Sequence, residues 1–138
     1  MESYAKYSDR PVPNIDHAEY WQGVKRRELL YQRCEACELA VFHPRTICPY
    51  CLGSKLAYEK SSGCGKVYSF TIQHHGLSPY WQAKLPYALG IIALDEGYYM
   101  FAEITPPDLN LLKINAPVEV WFDEVDDETV LPKFKVVS

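Results

Sequence analysis

Four of the five cysteines form two Cys-x-x-Cys pairs, Cys34 with Cys37 and Cys48 with Cys51, and ten residues separate the pairs. Four thiolate sulfurs at the corners of a tetrahedron are a ligand set that structural Zn²⁺ prefers. One pair alone could be a redox dithiol, whereas a second pair at this distance favours a shared metal. The spacing therefore predicts a zinc ribbon ligated by these four cysteines.

Two alternatives to zinc remain at this point. Iron is one, because sulfur ligands alone do not distinguish the two metals. Two disulfides are the other, and they are less favoured because no signal-peptide pattern is evident and Cys64 would be left as an odd thiol. A site ligated only by sulfur has no open position for water or substrate, so we expect it to stabilise the fold and look elsewhere for function.

Composition indicates a globular protein with a real core. The 138 residues are 48% apolar and 23% charged, and no apolar run approaches the roughly 20 residues of a membrane span. Residues 1–64 contain nine Lys or Arg against eight Asp or Glu, while residues 65–138 contain five against ten. We expect a cytoplasmic protein whose second half is acidic.

Residues 1–27 are interpreted as an N-terminal arm followed by a helix. The helix is predicted to start near Asn14 or Asp16, because Asp16 and Glu19 have the spacing of a capping box. It is expected to end by Arg27. The predicted apolar stripe of this helix consists of Ile15, Tyr20, Trp21 and Val24.

Residues 28–60 are predicted to form the zinc ribbon. A short strand over 28–33 leads into the first cysteine pair, and a strand over 56–60 leaves the second. The side chains of Phe42, Pro44 and Ile47 are expected to cover the metal.

Residues 61–138 are predicted to form a five-stranded OB-fold barrel. Turn residues separate short runs rich in β-branched and aromatic residues, and the long connection after the third run lies where an OB-fold places its insert. A five-stranded open sandwich is the alternative architecture. The predicted strands cover 67–74, 88–94, 98–104, 118–125 and 130–137.

Two groups of residues are candidates for binding. The basic residues Lys25, Arg26, Arg27 and Arg45 could contact phosphates, although most such clusters are solvated surface. The connection over 74–87 is long and aromatic, which is unusual for a purely structural loop. It could line a ligand channel, close the barrel end or contact a partner through His74, His75, Tyr80, Trp81 and Tyr87.

Ordered motifs along the chain resemble one protein family. They are Tyr20-Trp21, Gln32-Arg33-Cys34-x-x-Cys37, Pro44-Arg45-x-x-Cys48-x-x-Cys51, Gly63-x-Gly65-x-Val67-Tyr68-Ser69-Phe70-Thr71, Pro86-Tyr87, Leu94-Asp95-Glu96-Gly97 and Leu112-x-Ile114-x-x-Pro117-Val118. This order and spacing resemble the acyl-CoA-associated zinc-ribbon/OB-fold proteins, which were long catalogued as a domain of unknown function. Two departures are that Glu38 and Leu52 follow the metal pairs where the family often has Gly, and that Cys64 replaces a common Arg or Lys.

The resemblance implies a helical N-terminus, a rubredoxin-like ribbon and an OB-fold that binds CoA. It also implies a non-catalytic accessory subunit of a thiolase-superfamily enzyme such as a thiolase, acyltransferase, hydroxymethylglutaryl-CoA synthase or aldolase, with the catalytic residues in that partner. Lys66, beside the Gly-x-Gly turn, joins the CoA or partner-binding candidates.

Two other functions are weighed against this one. Single-stranded nucleic-acid binding is the alternative, since both zinc ribbons and OB-folds serve it, but an acidic barrel should repel a phosphate backbone. A self-sufficient enzyme with Cys64 as nucleophile and His74 or His75 as base is disfavoured, because nothing in the sequence places a histidine beside Cys64. The carboxylates of Asp95, Glu96 and 126–128 are explained by solvated turns.

Overall fold

The computed structural model describes residues 15–76, 78–105 and 110–137, which contain two helices and eight strands. The strands β1 to β3 form one sheet in the order β2-β1-β3, and β4 to β8 form a closed barrel in the order β4-β5-β6-β8-β7. The elements are α1 (Ala18–Lys25), β1 (Leu30–Cys34), β2 (Ala40–Val41), β3 (Leu56–Lys60), β4 (Cys64–Gln73), α2 (Pro79–Gln82), β5 (Tyr87–Leu94), β6 (Tyr99–Ile104), β7 (Pro117–Glu124) and β8 (Val130–Val136).

This architecture confirms the predicted class, mainly β with an N-terminal helix, a cysteine ribbon and a five-stranded barrel. The open sandwich is wrong because the barrel closes: β4 pairs with β7, and β6 pairs in parallel with β8. The predicted arm over residues 1–13 lies outside the described residues. Within the described ranges, no helix has the length and apolar character needed to cross a membrane.

The N-terminal helix is shorter than predicted. It begins at Ala18, and its N-cap is His17, whose side chain makes no capping hydrogen bond, so the capping box from Asp16 is wrong. Ile15 precedes the first turn and is 93% exposed, which removes it from the apolar stripe. The buried face consists of Tyr20 and Val24, with Trp21 half-buried beside them.

In the ribbon, β3 has the predicted bounds and β1 begins two residues later than expected. The predicted metal cover is wrong. Val41 and Leu56 pack against the cysteines, whereas Phe42 packs on the main core and Ile47 is exposed. Neighbouring residues of an extended chain point to opposite sides, so Phe42 turns away from the side that Val41 covers. Pro44 is buried but is not among the residues packed around the cysteines.

The barrel strands agree with prediction to within one residue at most ends, and β4 starts three residues early, at Cys64. Two glycines permit the close passage from ribbon to barrel. Gly63 has φ +78, and a Cβ there would lie 2.4 Å from Cγ1 of Val120. A Cβ on Gly65 would lie 2.5 Å from the carbonyl oxygen of Ala93. The Gly-x-Gly motif is therefore required by the backbone turn and by strand packing.

A β-bulge interrupts the pairing of β4 with β5. Val67 pairs with Ile92 and Ser69 with Ile91, so Tyr68 is an extra residue between them. A bulge re-aims side chains and increases local twist. As a result, Tyr68 projects outward and is 59% exposed, while Val67 is fully buried.

A stack of aromatic rings joins the helix, the ribbon and the barrel. The ring of Phe42 lies 5.5 Å from Tyr20 on α1 and 5.1 Å from Tyr98 just before β6, and Tyr31 on β1 stacks on Tyr98 at 4.9 Å. Such ring pairs stabilise beyond their area burial by about 0.5–1.5 kcal/mol each. The three segments therefore share one continuous hydrophobic core.

Candidate functional site

The four ribbon cysteines are placed as a tetrahedral metal site requires. Their sulfur atoms all lie within 4.8 Å of one another, with Cys34 Sγ 3.5 Å from Cys51 Sγ and Cys37 Sγ 3.7 Å from Cys48 Sγ. Tetrahedral zinc with Zn–S bonds of about 2.3 Å needs sulfur atoms about 3.8 Å apart. This cluster fits structural zinc, as the spacing predicted.

Backbone amides around the cluster favour the thiolate form that binds metal. The backbone N–H of Cys37 donates to the thiol of Cys34 and lowers its pKa to about 7. The N–H groups of Tyr50 and Gly53 donate to the sulfurs of Cys48 and Cys51, each at 3.4 Å. Hydrogen bonds to the charged form stabilise it, and the pKa of Cys48 is lowered as well. The pKa of Cys37 and of Cys51 is raised in spite of a backbone hydrogen bond to each, because burial and the neighbouring cysteine sulfurs oppose the charge.

The turns after the two metal pairs have left-handed backbone geometry. Glu38 has φ +66 and Leu52 has φ +65, at the two positions where the resembled family often has Gly. The hydrogen bonds from the N–H of Glu38 to Cys34 O and of Leu52 to Cys48 O hold this geometry. The departures from the family pattern therefore preserve the turn but place side chains where Gly is favoured.

A cleft of about 490 Å³ lies between the ribbon, α1 and the barrel. Its walls are mostly apolar and aromatic, which suits an elongated apolar ligand. The lining residues are His17, Tyr20, Trp21, Phe42, His43, Pro44, Trp81, Leu89, Met100, Phe101, Ala102, Glu103, Leu131, Pro132 and Lys133.

Buried charges form part of the cleft wall. Oε1 of Glu103 lies 2.6 Å from Nζ of Lys84 and 3.3 Å from Nζ of Lys133. Nζ of Lys133 also lies 2.5 Å from Oδ2 of Asp123. Burial lowers the pKa of Lys84. Burial also opposes the charge on Lys133, but its hydrogen bond to Asp123 and the charge of Glu103 raise the pKa overall. Two cations and two anions cancel, so this group does not select a charged ligand.

The predicted basic group is largely neutralised by acids. Arg26 Nε lies 2.9 Å from Glu28 Oε1, and Arg27 pairs with Glu124 of β7 and donates to the carbonyl of Lys25. Arg33 on β1 is paired in the same way: it lies 3.0 Å from Glu59 and donates to the hydroxyl of Tyr31.

The remaining basic candidates do not form one cluster with them. Lys25 and Arg45 make no ion pair with any residue that the structure describes. The backbone N–H and carbonyl of Arg45 are hydrogen-bonded to the side-chain amide of Gln32. Lys66 lies on the exposed outer side of β4. The structure therefore does not bring the basic candidates into one phosphate site.

The aromatic connection before β5 contains the short helix α2, which the sequence interpretation missed. Trp81 lies 5.2 Å from Tyr80 and 4.6 Å from Tyr87, and Nζ of Lys84 lies 4.9 Å from the Trp81 ring. Only Trp81 of these lines the cleft. His74 and His75 are exposed beyond the end of β4 and do not join the rings.

Cys64 and the histidines occupy opposite ends of one strand. Cys64 begins β4, and His74 follows its last residue, about 30 Å further along an extended strand. The structure does not place either histidine as a base for this thiol.

Sequence reasoning missed the cleft itself, including the contributions of Glu103, Leu131 and Lys133. The sequence did contain a signal for the cleft, namely two charged residues, Glu103 and Lys133, inside predicted strands. Their proximity depends on the parallel pairing of β6 with β8, in which Ile104 is the partner of Phe134.

A cysteine ribbon joined to a closed five-stranded barrel through a shared core defines the class of zinc-ribbon/OB-fold proteins. Two family models match: the ChsH2 rubredoxin-like zinc ribbon domain over residues 21–57, and the ChsH2 C-terminal OB-fold domain over residues 58–123. The chain belongs to this ChsH2, or DUF35, family, which is the family that its motifs resembled.

Similar proteins include chains of comparable length and longer ones. A DUF35 domain-containing scaffold protein of Methanocaldococcus jannaschii is 32% identical over 78% of this chain and 77% of that protein. A probable enoyl-CoA hydratase alpha subunit of Thermomonospora curvata is 31% identical over 91% of this chain, which spans only 39% of the subunit. A chain in the solved structure of the Ltp2-ChsH2(DUF35) aldolase is 31% identical, with a TM-score of 0.82 over 92% of this chain and 98% of that chain.

Proposed function

We propose that this protein is a non-catalytic accessory subunit of an acyl-CoA-processing enzyme of the thiolase superfamily. Its cleft holds the acyl and pantetheine chain of the substrate while the partner supplies the catalytic residues. The likeness to a chain of the Ltp2-ChsH2(DUF35) aldolase, which extends over 98% of that chain, carries this proposal. The name of the hydratase alpha subunit supports the same kind of assembly.

The chemistry of the cleft supports a neutral, elongated ligand. Rings of Trp21, Phe42 and Trp81 line its walls, so burial of an alkyl chain there is favourable by about 25 cal/mol per Å² of apolar area. The charges at Glu103 and Lys133 are paired, so they offer hydrogen bonds to amide or thioester groups more readily than a site for phosphate.

Nucleic-acid binding has less support. The cations that would track a phosphate backbone are paired with carboxylates or dispersed, as for Arg26, Arg27 and Lys66. Non-specific affinity for nucleic acid depends on several such cations acting together.

Two measurements test the proposal. The first is purification of the tagged protein from its native cells at low salt, with a stoichiometric thiolase-fold subunit as the expected result. The second is titration with decanoyl-pantetheine, followed by tryptophan fluorescence, because Trp21 and Trp81 line the cleft. Absence of both the partner and the fluorescence change would contradict the proposal.

A matched pair of variants localises the ligand. Leu131→Gln places an amide in the cleft wall and should weaken decanoyl-pantetheine binding about tenfold. Leu111→Gln makes the same change at a surface groove formed with Ile114 and Val136, away from the cleft, and should leave affinity unchanged. Equal effects of the two substitutions would show that the chain binds elsewhere.

A further inference from the structure

Lys84 is a cation of the buried charge group to which the proposed function assigns no role. It lies two residues after α2, and its Nζ is 2.6 Å from Oε1 of Glu103. The ring centroid of Trp81 lies 4.9 Å and that of Tyr80 5.3 Å from the same nitrogen. Because Glu103 and Trp81 both line the cleft, the amine of Lys84 adjoins the space that the acyl ligand is proposed to occupy.

The two lysines that share Glu103 differ in how firmly they hold a proton. Burial opposes the charge of Lys133, but its hydrogen bond to Asp123 at 2.5 Å and the charge of Glu103 raise its pKa. The pKa of Lys84 is lowered, chiefly by burial and further by the charge of Lys133, although its hydrogen bond to Glu103 opposes the shift. An amine that is desolvated beside another cation is an activated nucleophile. Of the two lysines, Lys84 is therefore the one suited to attack a carbonyl.

The same group contains the other parts that acyl transfer to an amine needs. The carboxylate of Glu103 is hydrogen-bonded to Lys84 and can accept its proton, after which Lys133 and Asp123 still form a neutral pair. The ammonium group of Lys133, which lines the cleft, can donate to the carbonyl oxygen of a thioester and stabilise the negative charge that develops there. Nucleophile, base and oxyanion donor thus meet at one oxygen atom of Glu103.

We propose that Lys84 is a site of self-acylation by an acyl thioester bound in the cleft. The amine nitrogen attacks the thioester carbon, a C–N bond forms and the C–S bond breaks. The proton that leaves the nitrogen passes through Glu103 to the departing thiolate. The products are an amide on Lys84 and a free thiol, so no oxidant or further reactant is required. This inference rests on the proposed function, which supplies the thioester.

Acylation changes the cleft in two ways. The amide carries no charge, so Glu103 retains Lys133 as its cation, and the acyl chain stays attached beside Trp81. A tethered chain competes with an incoming ligand at a high effective concentration. Acylated protein should therefore bind decanoyl-pantetheine at least tenfold more weakly than unmodified protein, so that an excess of acyl thioester lowers the capacity of the subunit.

Peptide mass spectrometry of the full chain, incubated with decanoyl-pantetheine, tests the proposal. Lys84 should be acylated at least tenfold faster than Lys135, a matched ion-paired lysine on the barrel surface whose Nζ lies 3.2 Å from Oε1 of Glu119. The exposed Lys55 of the ribbon gives the rate of an ordinary surface amine. Labelling of Lys84 should saturate as the probe concentration rises, whereas labelling of Lys55 should increase linearly, because only Lys84 reacts from a bound complex.

Variants separate the site from the general reactivity of lysines. Lys84→Arg keeps the charge but removes the amine, so the affinity of this variant for decanoyl-pantetheine should stay constant during incubation while that of wild type declines. Leu131→Gln weakens binding of the alkyl chain and should slow the labelling of Lys84 about tenfold at low probe concentration, whereas Leu111→Gln, away from the cleft, should not. Thermal melting of each variant checks that it is folded.

The outcomes distinguish self-acylation from the proposed function. If decanoyl-pantetheine binds but labels Lys84 no faster than Lys135, self-acylation is overturned and the acyl-binding cleft stands. If Lys84 is labelled without saturation and equally fast in Leu131→Gln, the reaction does not start from the cleft, and the proposal is overturned as well. If the probe neither binds nor labels Lys84, both the self-acylation and the acyl ligand of the proposed function are contradicted.

Discussion

The ribbon and the barrel reach a stable structure by different means. Around the metal site, the buried residues in the described part of the chain are Cys34, Val41 and Cys48, with Cys37 and Leu56 partly buried beside them. The barrel, in contrast, encloses a core of aliphatic and aromatic side chains that includes Val67, Ile92, Ile104, Val118 and Phe134. The part of the ribbon around the cysteines therefore depends on four bonds to one ion, whereas the barrel depends on apolar area distributed over five strands.

Removing one metal ligand should have the largest effect. Cys48→Ser replaces a fully buried sulfur, so we expect loss of zinc and local unfolding of the ribbon, because structural metal binding contributes directly to folding. The loss should exceed about 3 kcal/mol of the free energy of unfolding. Zinc analysis should show that the metal is lost. Hydrogen exchange should show that amides of the ribbon are unprotected while amides of the barrel stay protected. Cys64→Ser, at an exposed thiol outside the cluster, is the control. Retained zinc with an unchanged melting curve would rule the site out.

A cavity in the barrel should have the opposite effect: it should destabilise the barrel and leave the metal site intact. Ile92→Ala removes three carbons from a fully buried position and should lower the free energy of unfolding by about 2–5 kcal/mol, measured by urea denaturation. The folded fraction should still bind one zinc ion per chain. Ile91→Ala, one residue away on the outer side, should cost about 1 kcal/mol or less. Similar costs at the two positions would mean that the barrel interior is not the stabilising core.

How far sequence reasoning succeeds also differs between the regions. The metal site is encoded locally by Cys34, Cys37, Cys48 and Cys51, so spacing alone was sufficient. The barrel strands follow from alternation and turn residues, as at 95–97 between β5 and β6. In each case the signal comes from residues that lie close together in the chain.

The cleft could not be predicted because it is encoded by distant segments. Phe42 follows β2, Trp81 lies on α2, and Lys133 on β8, and only barrel closure and docking of the ribbon bring them together. The sequence alone predicts Phe42 as metal cover, because an aromatic residue near a cysteine pair has no other evident partner there. The binding candidates selected by charge alone, such as Arg26 and Arg27, turned out to have acidic partners.

The junction between the two regions offers a finer comparison. Tyr31 and Tyr98 stack on each other, but Tyr31 donates to Glu59 at 2.9 Å and accepts from Arg33, while the buried hydroxyl of Tyr98 has no hydrogen-bond partner among described residues. Tyr31→Phe should therefore cost about 1 kcal/mol of the free energy of unfolding. Tyr98→Phe should be neutral or slightly stabilising, since it removes an unsatisfied polar group. Equal losses in chemical denaturation would show that the Tyr98 hydroxyl has a partner.

The smallest expected effect lies in the ribbon turns, where metal geometry dictates a backbone that most residues disfavour. Leu52 has φ +65 and is 77% exposed, so its side chain contributes little burial. Leu52→Gly should raise the free energy of unfolding by about 0.5–1 kcal/mol, because Gly adopts this conformation without steric cost. This gain exceeds the entropic cost of ordering Gly, which is more flexible than Leu in the unfolded chain. Leu52→Ala is the matched control: it removes the exposed side chain but keeps the Cβ, so it should give no gain. Thermal melting together with the rate of zinc release to a chelator would measure both. If Leu52→Ala stabilised the ribbon as much as Leu52→Gly, the cause would be removal of an exposed apolar side chain and not relief of backbone strain. In that case Glu38→Gly, which removes a polar side chain from the other turn, should give no gain in stability.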